Sequence, residues 1–174
     1  DGGLGHGLEA DVRCSESQSP IANHWNYATI TPALNPTVDI CGLLHFQGIQ
    51  HDWLSLATET CCDMILKNPP QDGHTLYGVS RLAEHIPDLK TSMNLLDVID
   101  KYLPQASFYI AEAPVETYGL TPLHFAPKPE SLCRKLFLQS QIDNHLDNLI
   151  EKQLPDGGWP INWDAPGAAS SLEW

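Results

Sequence analysis

The feature that most limits what this chain can become is its punctuation. Amphipathic runs with a helical period are cut by proline and glycine at nearly every join, and strand signals are scarce. Asn35-Pro36 reads as an N-cap followed by proline at the first helical position. Val38, Cys41, Leu43 and Leu44 then share a side, and the run ends near Gly48. His51-Asp52 opens a second run with Trp53, Leu54, Ala57, Cys61, Met64 and Ile65 at i, i+3, i+4 spacing. Asn68 through Gly73 is a break. A short helix from about His74 turns Leu76, Val79, Leu82, Ala83 and Ile86 inward and is closed by Pro87. Thr91-Ser92 is read as the cap of the next, whose stripe is Leu95, Leu96, Ile99, Tyr102 and Leu103.

Residues 104–127 hold little period and read as a long loop, a kind of segment that in compact domains is often functional. The longest helix is expected from Pro129 to about Gln153, with Glu130 suiting its dipole. Its stripe is Leu132, Leu136, Gln139, Ile142, Leu146, Leu149 and Ile150. Phe108-Tyr109-Ile110 is the single β-like triplet. The pattern predicts an all-α fold of helical hairpins in one domain spanning 1–174.

A chain of 174 residues with 42% apolar and 18% charged side chains can bury a substantial core. Its net charge of −13 repels phosphate backbones, so nucleic acid is not an expected partner, and neither is an anionic membrane surface. No apolar run approaches the roughly 20 residues of a membrane helix. No signal peptide is visible behind Asp1. Cys14, Cys41, Cys61, Cys62 and Cys133 lack framework spacing. Reduced, mostly buried thiols and a cytoplasmic location are the corresponding expectation.

Helix pairs recur at roughly 40 residues, the range of two-helix repeats. Each pair ends in a Gly-containing break, at Gln71-Asp72-Gly73 and Asp156-Gly157-Gly158, with Asp1-Gly2-Gly3 as a severed copy. Gln153-Leu154-Pro155-Asp156-Gly157-Gly158-Trp159 reads as a stop-and-staple unit: a glutamine at a helix end, a glycine pair, and an aromatic that folds back. It resembles the QW motif of the squalene cyclase and prenyltransferase superfamily. The pieces Asp1 to Asp11, Asn35-Pro36-Thr37, Tyr118 to Leu123 and Asp156 to Trp174 are similar to an uncharacterised bacterial group with the same signature. The resemblance implies an α/α toroid of paired inner and outer helices, with a small apolar or isoprenoid-like molecule in a central cavity. In that superfamily the glutamine caps a neighbouring helix end and the tryptophan stacks on it. A closed ring of five or six hairpins needs well over about two hundred residues. An incomplete toroid is therefore expected, trimmed at its ends or lacking an internal stretch near residues 25–26.

The acids of terpene cyclisation, Asp-Asp-x-x-Asp or Asp-x-Asp-Asp, do not occur, and no cofactor is read from the sequence. Prenyltransferases of this fold hold zinc with Asp, Cys and His. Asp39, Cys41 and His45 offer such a set, but Asp39 points about 200° from Cys41 on a regular helix. Cys41 is more simply a small core residue. Two other clusters are candidates for acid–base chemistry. One is His6, Glu9 and Asp11 in the glycine-rich head, where the plainer reading is a surface Glu9–Arg13 pair. The other is Glu112, Glu116 and Tyr118 in the long loop, where the plainer reading is two solvated acids and a packed ring. Two carboxylates facing one groove would favour a carbohydrate-active α/α barrel. An apolar cavity without convergent acids would favour the isoprenoid reading, and a filled core without a pocket a helical scaffold. Trp159, Trp163 and Trp174 are read as locking the tail to the last helix, with a ligand groove as the alternative.

Overall fold

Two hairpins stack side by side in a computed structural model that describes residues 33–160. The first pairs α1 (Leu34–Phe46) with α2 (Asp52–Lys67), and the second pairs α3 (Gly73–His85) with α4 (Leu89–Tyr102). Helix α1 packs on α3 and α2 on α4, so the odd helices form one row and the even helices another. A 3₁₀ turn (Leu103–Gln105) leads into the long loop, which contains the four-residue α5 (Pro122–Phe125). A second 3₁₀ turn (Leu132–Leu136) precedes α6 (Gln139–Lys152). Among the described residues there are six α-helices and no strand, which makes them all-α. Phe108-Tyr109-Ile110 contributes to isolated bridges, Asp72 to Ser107 and Tyr109 to Leu120.

The backbones of α1 and α3 approach closely where they cross, and two glycines permit it. A Cβ on Gly42 would lie 2.7 Å from the Leu82 nitrogen and 2.8 Å from the Arg81 carbonyl carbon. A Cβ on Gly78 would lie 2.8 Å from Val38 Cγ1. Across the same crossing Arg81 Nη1 donates to Asp39 Oδ1 at 2.7 Å, while within α3 Arg81 Nη2 donates to the Tyr77 hydroxyl at 2.5 Å. The guanidinium also lies 4.8 Å from the centre of the Tyr77 ring. Around this crossing Val38, Cys41, Leu54, Ile65, Leu76, Leu82, Leu95 and Ile99 form a buried apolar core.

The helix starts follow local chemistry. His51 Nδ1 accepts from Trp53 N at 3.0 Å and Asp72 Oδ1 from Thr75 N at 2.9 Å, each satisfying an orphan donor of a first turn. The start of α4 differs from the sequence reading. Asp88, not Thr91-Ser92, is the cap, and it takes both the Thr91 N–H and the Thr91 hydroxyl. An aspartate directly after Pro87 reaches the open amides three residues sooner. Ser92 lies inside the helix and donates its hydroxyl to the Ala83 carbonyl. In the first two stripes Leu43 and Met64 turn outward.

The last helix departs most from its sequence reading. It does not run unbroken from Pro129, because Phe137 is extended (φ −118°, ψ 141°) and α6 starts only at Gln139. Its face is rotated as well. Ile142, His145 and Asn148 are buried, whereas Leu146, Leu149 and Ile150 are 45%, 44% and 72% exposed. Gln139 is exposed too. The cause is the loop beside it. That loop has almost no secondary structure to satisfy its peptide groups, and α6 supplies the partners from its polar face. His145 Nε2 donates to the Ala111 carbonyl at 3.0 Å, Asn148 Oδ1 accepts from Val115 N at 3.2 Å, and Lys152 Nζ donates to the Val115 carbonyl. Among helices, α6 packs chiefly on the short α5.

Candidate functional site

A cleft of about 560 Å³ opens between the loop, α5 and α6. Val115, Leu123, Leu149, Trp159 and Pro160 give it apolar walls, and Glu116, Thr121, His124, His145, Asn148 and Lys152 give it polar ones. The loop side is shaped by α5. Thr121 and Pro122 open that turn, and His124 reaches back so that its Nδ1 accepts from Thr121 N at 3.0 Å. The Thr121 hydroxyl lies 3.1 Å from the same nitrogen. Gly119 is buried because a side chain there would run into Ile110, 2.7 Å away.

His124 is exposed along the cleft, and the chain packed against the rest of its ring removes part of its hydration. That desolvation, opposed by the Thr121 backbone hydrogen bond and reinforced by the nearby His145 and His74, holds its pKa below the ordinary value of 6.5. The neutral imidazole is therefore its resting form. Tyr77 meets it edge-on, with ring centres 6.4 Å apart. His145 is 2% exposed, anchored by its Nε2 to Ala111.

The far end of the cleft is made by the stop-and-staple unit. Gly157 takes a positive φ of 90°, Gln153 Nε2 donates to the Gly157 carbonyl at 3.0 Å, and Leu154 N donates to the Gly158 carbonyl. Trp159 then folds back, and its indole N–H donates to the Leu149 carbonyl at 2.8 Å. That carbonyl belongs to the last turn of α6, where helical partners run out. The staple thus closes on its own helix.

The residues singled out from sequence separate. His6, Glu9 and Asp11 lie outside the described residues, as does the region near residues 25–26. Glu116 lines the cleft, but Glu112 is held by Gln141 Nε2 at 2.9 Å and Tyr118 by His74 Nε2 at 2.7 Å, and neither contributes to the lining. Tyr118, His74 and Phe108 instead form a three-ring cluster of their own, with centres 5.3–6.3 Å apart. Phe108 carries a left-handed backbone (φ 59°) there.

The zinc set is not assembled. Asp39 is paired with Arg81, Cys41 is fully buried in the core, and His45 Nε2 bonds to the Thr58 hydroxyl at 2.9 Å. Among the described residues no group of three His, Cys, Asp or Glu side chains could hold a metal ion. Cys41, Cys61, Cys62 and Cys133 are free and buried, and Cys14 lies outside the described residues. Burial pushes the Cys62 thiol up to about 11 and Cys133 up to about 12, so neither supplies a thiolate near neutrality.

Sequence reading missed His124, His145, Asn148 and Lys152. The signal was present as a second stripe: Ile142, His145, Asn148 and Lys152 recur at helical spacing beside the leucines. Thr121-Pro122-Leu123-His124 likewise has the form of a capped short turn. Among the described residues no helix is long and apolar enough to cross a membrane. No protein-family model, curated protein or solved structure matches the chain.

Proposed function

We propose that the chain binds a small, predominantly apolar molecule in the cleft between the loop and α6, as a protein of the α/α-toroid type related to terpene cyclases and prenyltransferases. The observation that carries this reading is the composition of the cleft wall. It joins Val115, Leu123, Leu149 and Trp159 to a few convergent polar groups, the usual make-up of a ligand site. Only one carboxylate, Glu116, lines it among the described residues. A glycoside-hydrolase mechanism needs two, and Glu112 is engaged with Gln141 instead. The toroid part of the proposal is supported by the two rows of helices, α1 on α3 and α2 on α4.

The reading is tested by thermal shift with two panels, isoprenyl alcohols and diphosphates against malto- and cello-oligosaccharides. A ligand at a hundred times its Kd adds about 2.7 kcal/mol, a rise of several degrees in Tm. The expected result is stabilisation by the isoprenoid panel, abolished by filling the cleft with Leu149→Trp, at a lining position that is 44% exposed. Stabilisation by oligosaccharides alone would sink the proposal in favour of carbohydrate binding.

A further inference from the structure

Helix α6 carries two unlike rows on its outer side. The buried Ile142, His145 and Asn148 mark its inner side. At about 100° per residue, Leu146 and Ile150 fall on the far side from these. Leu154 continues their i, i+4 spacing just past the helix end, and the three are 45%, 72% and 43% exposed. Beside them run Asp143, Asp147 and Glu151, also at i, i+4 spacing and all exposed. None of these residues lines the cleft.

Both rows are unfavourable in the chain by itself. The apolar one stands in water. The acids are like charges one turn apart, which weakens a helix, and Glu151 sits in the last turn, where the dipole favours a cation. Among the described residues the ion pairs are Lys67–Asp63 and Arg81–Asp39, so no salt bridge reaches these three acids. Asp143 accepts from Gln139 Nε2 at 2.7 Å, a neutral donor.

We propose that the outer face of α6 docks an amphipathic helix of a partner protein, one that sets lysines or arginines beside an apolar row. Charge selects this occupant. A second copy would bring the same acids, in a chain of net charge −13. The chain's own remaining segments have the same sign. Residues 1–32 carry Asp1, Glu9, Asp11 and Glu16 against Arg13, and residues 161–174 carry Asp164 and Glu173 with no lysine or arginine. A partner ridge of i, i+4 spacing interdigitates with Leu146, Ile150 and Leu154, and its cations face the acidic row. This docking is independent of any ligand in the cleft.

The probe is a helical peptide of about five turns, made of leucine, lysine and alanine, with leucines in one i, i+4 row and lysines in the next. Its binding to the full chain is read by fluorescence anisotropy at about 0.15 M salt. The controls are a shuffled peptide of the same composition and a version with glutamate in place of lysine. The patterned peptide is expected to bind at least about tenfold more tightly than either control. Ile150→Asp, at a position 72% exposed, is expected to lower its affinity about tenfold although it adds negative charge. Asp147→Lys combined with Glu151→Lys is expected to weaken it about as much and to flatten its salt dependence. Equal binding of the patterned and shuffled peptides, or binding that neither variant weakens, overturns the proposal. So does sedimentation of the free chain as a dimer that Ile150→Asp dissociates, which gives the face to a second copy.

Discussion

The two stacked hairpins and the α6 region are built on opposite rules. In α1–α4 apolar stripes meet each other, glycines bring backbones together, and polar groups such as Arg81 bridge the edges of an apolar core. In α6 the polar stripe turns inward to hold a loop, and the leucines are left outward. The contrast teaches that an amphipathic pattern fixes a helix's faces but not which of them is inner. That choice depends on what the neighbouring chain needs, and a loop whose peptide groups take their partners from α6 outweighs the outward Leu146, Leu149 and Ile150. The cleft lies where this second rule operates.

The largest expected effect breaks the first region. Gly42→Val places side-chain atoms against the Leu82 and Arg81 backbone, which cannot rotate away, and is expected to cost about 3 kcal/mol or more by urea denaturation. Next comes a paired comparison. Leu82→Ala, in the core, is expected to lose about 3 kcal/mol, whereas Leu146→Ala is expected to stay within about 0.5 kcal/mol. Equal losses would mean that the outer face of α6 is covered and the contrast is false.

His145→Ala removes the partner of the Ala111 carbonyl and is expected to cost about 2 kcal/mol. It should also speed amide exchange in residues 111–116 without changing exchange in α3. Loss of protection in both regions would show that the loop and the hairpins are not separate units.

The smallest effect is the pH dependence. His124 and His45 both have folded-state pKa values held below 6.5, chiefly by desolvation. The unfolded chain therefore binds more protons at acid pH. Their contribution to stability is complete above about pH 7 and is lost as pH falls through 6.5 and on through the depressed folded values. A urea midpoint that declines from pH 7 to pH 5.5, less steeply in His124→Phe, is the expected outcome.

Most of the hairpin region was legible in the sequence, because there burial alone decides orientation. Leu76, Val79, Leu82 and Ala83 are inward as their spacing implies, and His51 starts its helix. The stop-and-staple at Gln153 to Trp159 was legible as local chemistry, since the helix end and Gly157 dictate the turn. The site was not legible. His145, Asn148 and Lys152 have meaning only beside peptide groups some thirty residues away, at Ala111 and Val115. No local pattern encodes which carbonyls will lack partners. The same long-range pairing separated Glu112 from Glu116 by giving the first to Gln141.

The way α6 holds the loop has a consequence for how this protein can change over generations. His145, Asn148 and Lys152 grip main-chain atoms of Ala111 and Val115, which every residue type except proline presents alike. The clamp is indifferent to the side chains it secures. Substitutions between residues 111 and 116 can therefore redecorate one wall of the cleft while its opposite wall and the hold on the loop persist. A scaffold arranged this way lets recognition drift in steps, each of them leaving the fold in place.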